Sequence, residues 1–148
     1  MMTRDEMSTV GQELARRYVD TFNDRDLDAW MALFVEDAVV YDPFVPEPSR
    51  GRNAIRNVEM AVLRAFPDMR WRLLRPAVGG GGRVAVEIAV SAVNDGPLHM
   101  PAGALPATRR PISFETGTFW LLASDGLITE ERSYFDATGV ATQLGIGP

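Results

Sequence analysis

A chain of 148 residues with 46% hydrophobic and 24% charged residues has the ordinary globular balance and can bury roughly 70% of its unfolded surface in one core. Its formal charge of -5 and pI near 4.9 argue against a nucleic-acid partner: phosphate binding needs a concentrated basic face, whereas Arg16-Arg17 and Arg109-Arg110 are pairs, not patches. The absence of cysteine excludes disulfides and thiol nucleophiles, and a single histidine argues against a His-rich catalytic zinc site.

Thr3 and Glu6 have the spacing of a capping box, and behind them Val10, Leu14, Tyr18 and Phe22 recur at near-helical intervals until Asn23-Asp24 ends the pattern. This predicts a first helix with Tyr18 on its apolar stripe. Asp26 caps a short second helix in which Leu27, Trp30, Met31 and Phe34 face one way. Ala38 to Tyr41 reads as a strand that Asp42-Pro43 terminates, because proline lacks the ladder donor; Asp42 therefore stands at a strand mouth. The loop PFVPEPSRG leads to a third helix marked by Ile55, Val58, Val62 and Phe66 and ending at Pro67.

From Asp68 the period changes to two, with Met69, Trp71 and Leu73 alternating with Arg70 and Arg72. Four glycines at 79–82 make a turn. Arg83 to Val93 is then a strand apolar on both faces except for Glu87, a carboxylate that needs a partner or a purpose. Asn94 to Pro111 carries Pro97, Pro101, Pro106 and Pro111, so a long loop is expected there, a candidate lid over a pocket. Ile112 to Leu122 and Leu127 to Asp136 form a hairpin about Ser124-Asp125-Gly126, and Ala137 to Leu144 makes one helical turn or two. Three N-terminal helices followed by mostly antiparallel strands predict one α+β domain over 1–148, with a cavity between a curved sheet and its helices. No stretch is apolar enough to span a bilayer or serve as a signal peptide, so a cytoplasmic protein is expected.

The stretch RRYVDTFNDRDLDAWMALFVEDAVVYDPFVPEPSRGRNAIR resembles the bacterial ketosteroid isomerases, in which a helix-one tyrosine precedes an aspartate at an Asp-Pro strand end by the 24 positions that separate Tyr18 from Asp42. FPDMRW, SDGLIT and the ending YFDATGVATQLG make nearly the whole chain similar to the SnoaL-like polyketide cyclases. Both groups share the NTF2-like fold, so the resemblance implies a cone-shaped curved antiparallel sheet wrapped over three N-terminal helices, a cystatin-like barrel. It also implies Asp42 as general base, Tyr18 as hydrogen-bond donor to an enolate oxygen, and Asp136, from the cyclase-like ending, as a late-strand acid. In the strand ISFETGTFW, Thr118 falls where the isomerases carry a protonated aspartate, while Glu115, three residues away, points to the opposite face. The Arg-x-Asp of epoxide hydrolases of this fold has no counterpart in VEIAVSAV.

The expectation is a cyclase of secondary metabolism, of the antibiotic-biosynthesis kind, acting on a hydrophobic polyketide-like substrate. Tyr18, Asp42 and Asp136 are the catalytic candidates, and Phe44, Trp71, Glu87, Thr118, Trp120 and Phe135 the substrate-binding ones. A steroid-type Δ-isomerase and a non-catalytic binding or dimerisation module are the alternatives. Each residue also has a plainer reading: Tyr18 as core, Asp42 as a turn residue, Asp136 as a helix N-cap, Glu87 as the cross-strand partner of Arg70 or Arg72, and His99 as solvated loop. No glycine-rich phosphate loop follows a strand and no ligand cluster occurs, so no cofactor or metal is expected. A homodimer through the outer sheet face is expected from the fold.

Overall fold

The structure, a computed structural model, describes residues 2–100 and 102–146; of the prolines expected in the long loop, Pro101 lies outside them. Helix α1 (Arg4–Asn23) starts at the capping box, where Thr3 Oγ1 accepts from Glu6 N and Glu6 returns a carboxylate to Thr3 N. Such reciprocal caps stabilise a helix by about 1 kcal/mol. Its buried stripe of Met7, Leu14, Tyr18 and Phe22 lies across the concave face of the sheet. Asp26 caps α2 (Leu27–Met31), which is shorter than its apolar spacing predicts. Phe34 belongs instead to strand β1 (Phe34–Tyr41), because Leu33 already accepts from Ile128 N and draws the chain into the sheet.

Within the loop after β1, Ser49–Arg50 add a two-residue strand, β2, paired to Val39 and Val40. Gly51, at φ 86°, then turns the chain into α3 (Arg52–Ala65). The remaining strands are β3 (Arg70–Leu73), β4 (Val78–Gly80), β5 (Arg83–Val93), β6 (Leu98–Met100), β7 (Gly103–Leu105), β8 (Pro111–Leu122) and β9 (Ile128–Tyr134), followed by helix α4 (Ala137–Leu144). The main sheet runs β2-β1-β9-β8-β5-β3, with β4 also on β5. It is curved and unclosed, and it is mixed, because β1 lies parallel to β9 while every other pair is antiparallel.

Strand β5 corrects one expectation. Rather than being covered on both faces, it alternates: Val84, Val86, Ile88, Val90 and Ala92 are buried, whereas Arg83, Glu87 and Ser91 face outward. The other residues on that outward face, Ala85, Ala89 and Val93, are only partly buried. The segment expected as a plain loop is a second correction, because β6 and β7 pair into a small hairpin. Buried Asn94 pins its base: Nδ2 donates to Ala65 O and Gly96 O, and Oδ1 accepts from Thr108 N. At Gly96 a Cβ would lie 1.9 Å from Arg64 O, so only glycine lets this hairpin sit so close against the end of α3.

Candidate active site

The concave face of the sheet, α1, α3 and α4 enclose a cavity of about 300 Å³, within the range of small-molecule sites. Its walls are mostly apolar. Phe44, the β6 residues Leu98, His99 and Met100, and Ile146 lie along it where the chain is less regular. Aromatic packing makes the floor rigid: Tyr18 stacks on Trp71 at 5.1 Å, Trp71 on Phe22 at 3.5 Å, and Trp120 lies 4.9 Å from the Tyr18 ring.

Three carboxyls face this space: Asp42 from the end of β1, Glu59 from α3 and Glu131 from β9. Glu131 is 4% exposed, and its Oε1 accepts both from the Tyr18 hydroxyl at 2.7 Å and from Trp120 Nε1 at 2.8 Å. Two donors on one oxygen leave Oε2 to carry a proton or to meet a ligand. Burial pushes Glu131 up to about 7, even though both hydrogen bonds pull the other way by favouring its anion, and the Asp42 charge pushes it further up. Among the described residues Glu59 has no such donors: its Oε2 is buried without a partner there, and burial, followed by the Glu131 and Asp42 charges, drives it up to about 8.

Asp42 is also raised by burial, but Phe44 N donates to its Oδ1 at 2.8 Å and favours the anion. Of the three it starts from the lowest intrinsic value and, among the described residues, is the one that accepts a backbone N–H, a contact that opposes the effect of burial. Its charge helps keep both glutamates protonated. Three carboxyls with different surroundings thus share one cavity, the kind of arrangement from which a base and an acid can be drawn. Tyr18 remains a neutral phenol, raised well above its usual value by burial and then by Glu131 and Glu59.

Six of the nine residues singled out from sequence line the cavity: Tyr18, Asp42, Phe44, Trp71, Thr118 and Phe135. The Tyr18 hydroxyl is spent on Glu131 rather than free for an enolate, and the Thr118 hydroxyl bonds Ser133 Oγ at 2.9 Å. Trp120 lies behind the wall, reaching the site only through Glu131. Two residues fall outside. Asp136 is exposed at the N-cap of α4, accepting from Gly139 N at 2.9 Å, because the chain leaves the sheet after Tyr134, two residues earlier. Glu87 points from the convex face and pairs with Arg75 at 3.4 Å, not with Arg70 or Arg72.

Glu59 and Glu131 escaped the sequence reading for different reasons. Glu59 follows Ile55 by four residues and precedes Val62 by three, so it sits within the apolar stripe of α3, and that spacing could have exposed it. Glu131 is concealed by a β-bulge. The partners of β9 jump from Leu121↔Glu130 to Leu122↔Ile128, leaving Thr129 unpaired. Simple alternation from buried Ile128 puts Glu130 inside; the extra residue puts Glu131, Ser133 and Phe135 there instead.

A family model described as a SnoaL-like domain matches residues 15–131. Among solved structures, the chain superposes on a proposed SnoaL-like polyketide cyclase from Jannaschia sp. CCS1 with a TM-score of 0.83, at 19% identity over the full length of both chains. A proposed polyketide cyclase from Xanthomonas campestris pv. campestris matches at 0.73, with 24% identity over 93% of this chain and 98% of that one. A Catenulispora acidiphila protein of ketosteroid isomerase-like fold, solved in complex with trimethylamine, matches at 0.74, with 18% identity over 92% and 94%.

Proposed function

The chain belongs to the SnoaL-like family of NTF2-like folds, and from that premise we propose that it is a cofactor-independent cyclase that closes a ring in an apolar, polyketide-like substrate by paired proton transfers. One observation carries this reading: Asp42 and Glu131 face the same apolar cavity, burial raises both, and a backbone N–H opposes that rise at Asp42 while Glu131 is driven up to about 7. Asp42 takes a proton from the nucleophilic carbon or hydroxyl. Glu131 gives a proton to the oxygen of the carbonyl under attack, the ring bond forms, and the product is an isomer of the substrate with no redox change. The two carboxyls regain their starting states by exchange with water. Tyr18 and Trp120 act through Glu131, fixing its orientation and holding its acidity near neutrality.

An open cavity containing a carboxyl oxygen without a partner disfavours a purely structural module, in which side chains would fill the space or pair with one another. A Δ-isomerase would use the same Asp42 with the Glu131 O–H as enolate donor, since Tyr18 is already engaged. Incubation with aromatic polyketide chains and, separately, with a β,γ-unsaturated ketone distinguishes the two by product. Turnover of either that survives unchanged in an Asp42→Asn, Glu131→Gln double variant sinks both. The same reading extends to a homodimer through the convex face, where Phe119 and Tyr134 stand half exposed, edge to face at 5.9 Å. Light scattering at two protein concentrations checks it, and a mass equal to one chain at both contradicts it.

A further inference from the structure

The acid–base pair leaves Glu59 without a task. This carboxyl stands midway along α3, lines the cavity and has a buried oxygen that nothing in the described chain bonds. A buried carboxyl without a partner is costly unless something outside the chain completes it. The chain contains no lysine, and among the described residues no arginine lines the cavity, so its basic lining is confined to the imidazole of His99. What the surroundings do offer is aromatic rings, from Tyr18, Trp71, Phe114 and Phe135, of which Trp71 is stacked on Phe22 and Tyr18 whereas Phe114 and Phe135 meet only tilted rings. A small metal ion is a poor fit, because among the described residues no three His, Cys, Asp or Glu side chains come together as a metal site.

We propose that the ligand of this cavity is a hydrophobic organic cation, an amine or quaternary ammonium on an apolar skeleton, whose charge sits against Glu59 and the aromatic wall. The proposal rests on the site assigned above and narrows its substrate class. A carboxylate beside an aromatic wall attracts a large, weakly hydrated cation by charge and by the ring quadrupoles together, while the apolar walls take the skeleton. Such binding favours the ionised Glu59. The titratable groups facing the cavity with it are Tyr18 from α1, Asp42 from the end of β1, Glu131 from β9 and His99 on β6. Affinity for a permanently charged ligand therefore increases as pH rises through about 7 and 8, where the two glutamates ionise.

Phenyltrimethylammonium and its uncharged isostere tert-butylbenzene test this directly, with binding to the full chain followed by tryptophan fluorescence and calorimetry. The expected result is a cation that binds at least about tenfold tighter than the isostere at pH 8.5, with the preference shrinking at pH 6. Glu59→Gln and Glu59→Leu, each checked by circular dichroism, should cut that preference about fivefold or more and leave tert-butylbenzene binding unchanged. No measurable binding of the cation overturns the proposal, as does equal binding of the two probes or a preference that both variants retain. None of these results touches the cyclase reading, which is tested by product formation in the Asp42 and Glu131 variants.

Discussion

Glu130 and Glu131 are adjacent in the chain, yet they occupy opposite faces of the same strand. Glu130 lies on the convex side, where Arg132 reaches it at 3.4 Å and water screens the pair. Glu131 lies on the concave side against Tyr18 and Trp120, 4% exposed and pushed up to about 7. The bulge at Thr129 decides which of the two enters the cavity. The convex charges neutralise one another at the surface, and such pairs contribute little to stability. Among the described residues no arginine lines the cavity beside the concave carboxyls, and burial there shows up as altered acidity rather than as ion pairing.

If the concave face carries the chemistry, the largest effect comes from removing its acid or its base. Glu131→Gln and Asp42→Asn are each expected to lower kcat by about a hundredfold or more with the fold intact, the usual range for a lost general acid or base. Steady-state rates on any converted substrate check this. A smaller effect follows from pH. Glu59 and Glu131 hold their protons more tightly folded than unfolded, so the stability linked to them is fully present below about pH 4.5 and is lost as pH rises through about 7 and then about 8. The loss is about 3 kcal/mol for Glu131 and about 5 kcal/mol for Glu59, and Glu59→Gln should recover several kcal/mol at pH 8.5 while changing little at pH 5. Urea titrations at the two pH values measure it; stability that is flat or rising between them contradicts the assignment.

Removing a donor from Glu131 sharpens the comparison further. Trp120→Phe takes away a hydrogen bond that favours the anion, so Glu131 should move further up and the alkaline limb of the pH–rate profile with it, at a cost of roughly 1–2 kcal/mol in stability. A profile that does not move means that Trp120 is packing alone. On the convex face, Glu87→Gln breaks only the exposed pair with Arg75. It should shift stability by less than about 0.5 kcal/mol and leave turnover unchanged.

The sequence made one face of this site legible and hid most of the other. Periodicity placed Tyr18 on α1, and Asp-Pro placed Asp42 at a strand end, because helical spacing and proline's missing donor are local facts. The helices, the hairpin about Gly126 and the cavity between sheet and helices were readable in the same way. The choice between Glu130 and Glu131 was not, since it depends on a register shift between β8 and β9 that no local pattern announces. Asp136 was misjudged because YFD reads as a strand end, whereas the chain has already left the sheet and uses that carboxylate to cap α4. Glu87 drew attention as the one charge in an apolar run, but it stands exposed on the outward face of β5.

The contrast between the two faces is open to direct observation by carbon-13 NMR of labelled glutamate carboxyls, with Glu59→Gln, Glu130→Gln and Glu131→Gln assigning the signals. Two resonances titrating near 7 and near 8, lost in Glu131→Gln and Glu59→Gln respectively, are the expected result. Titration of both in the ordinary range near 4.5, alongside the surface glutamates, would show that the cavity is wet, that neither glutamate is a neutral acid at physiological pH, and that the acid half of the proposed proton transfer is absent.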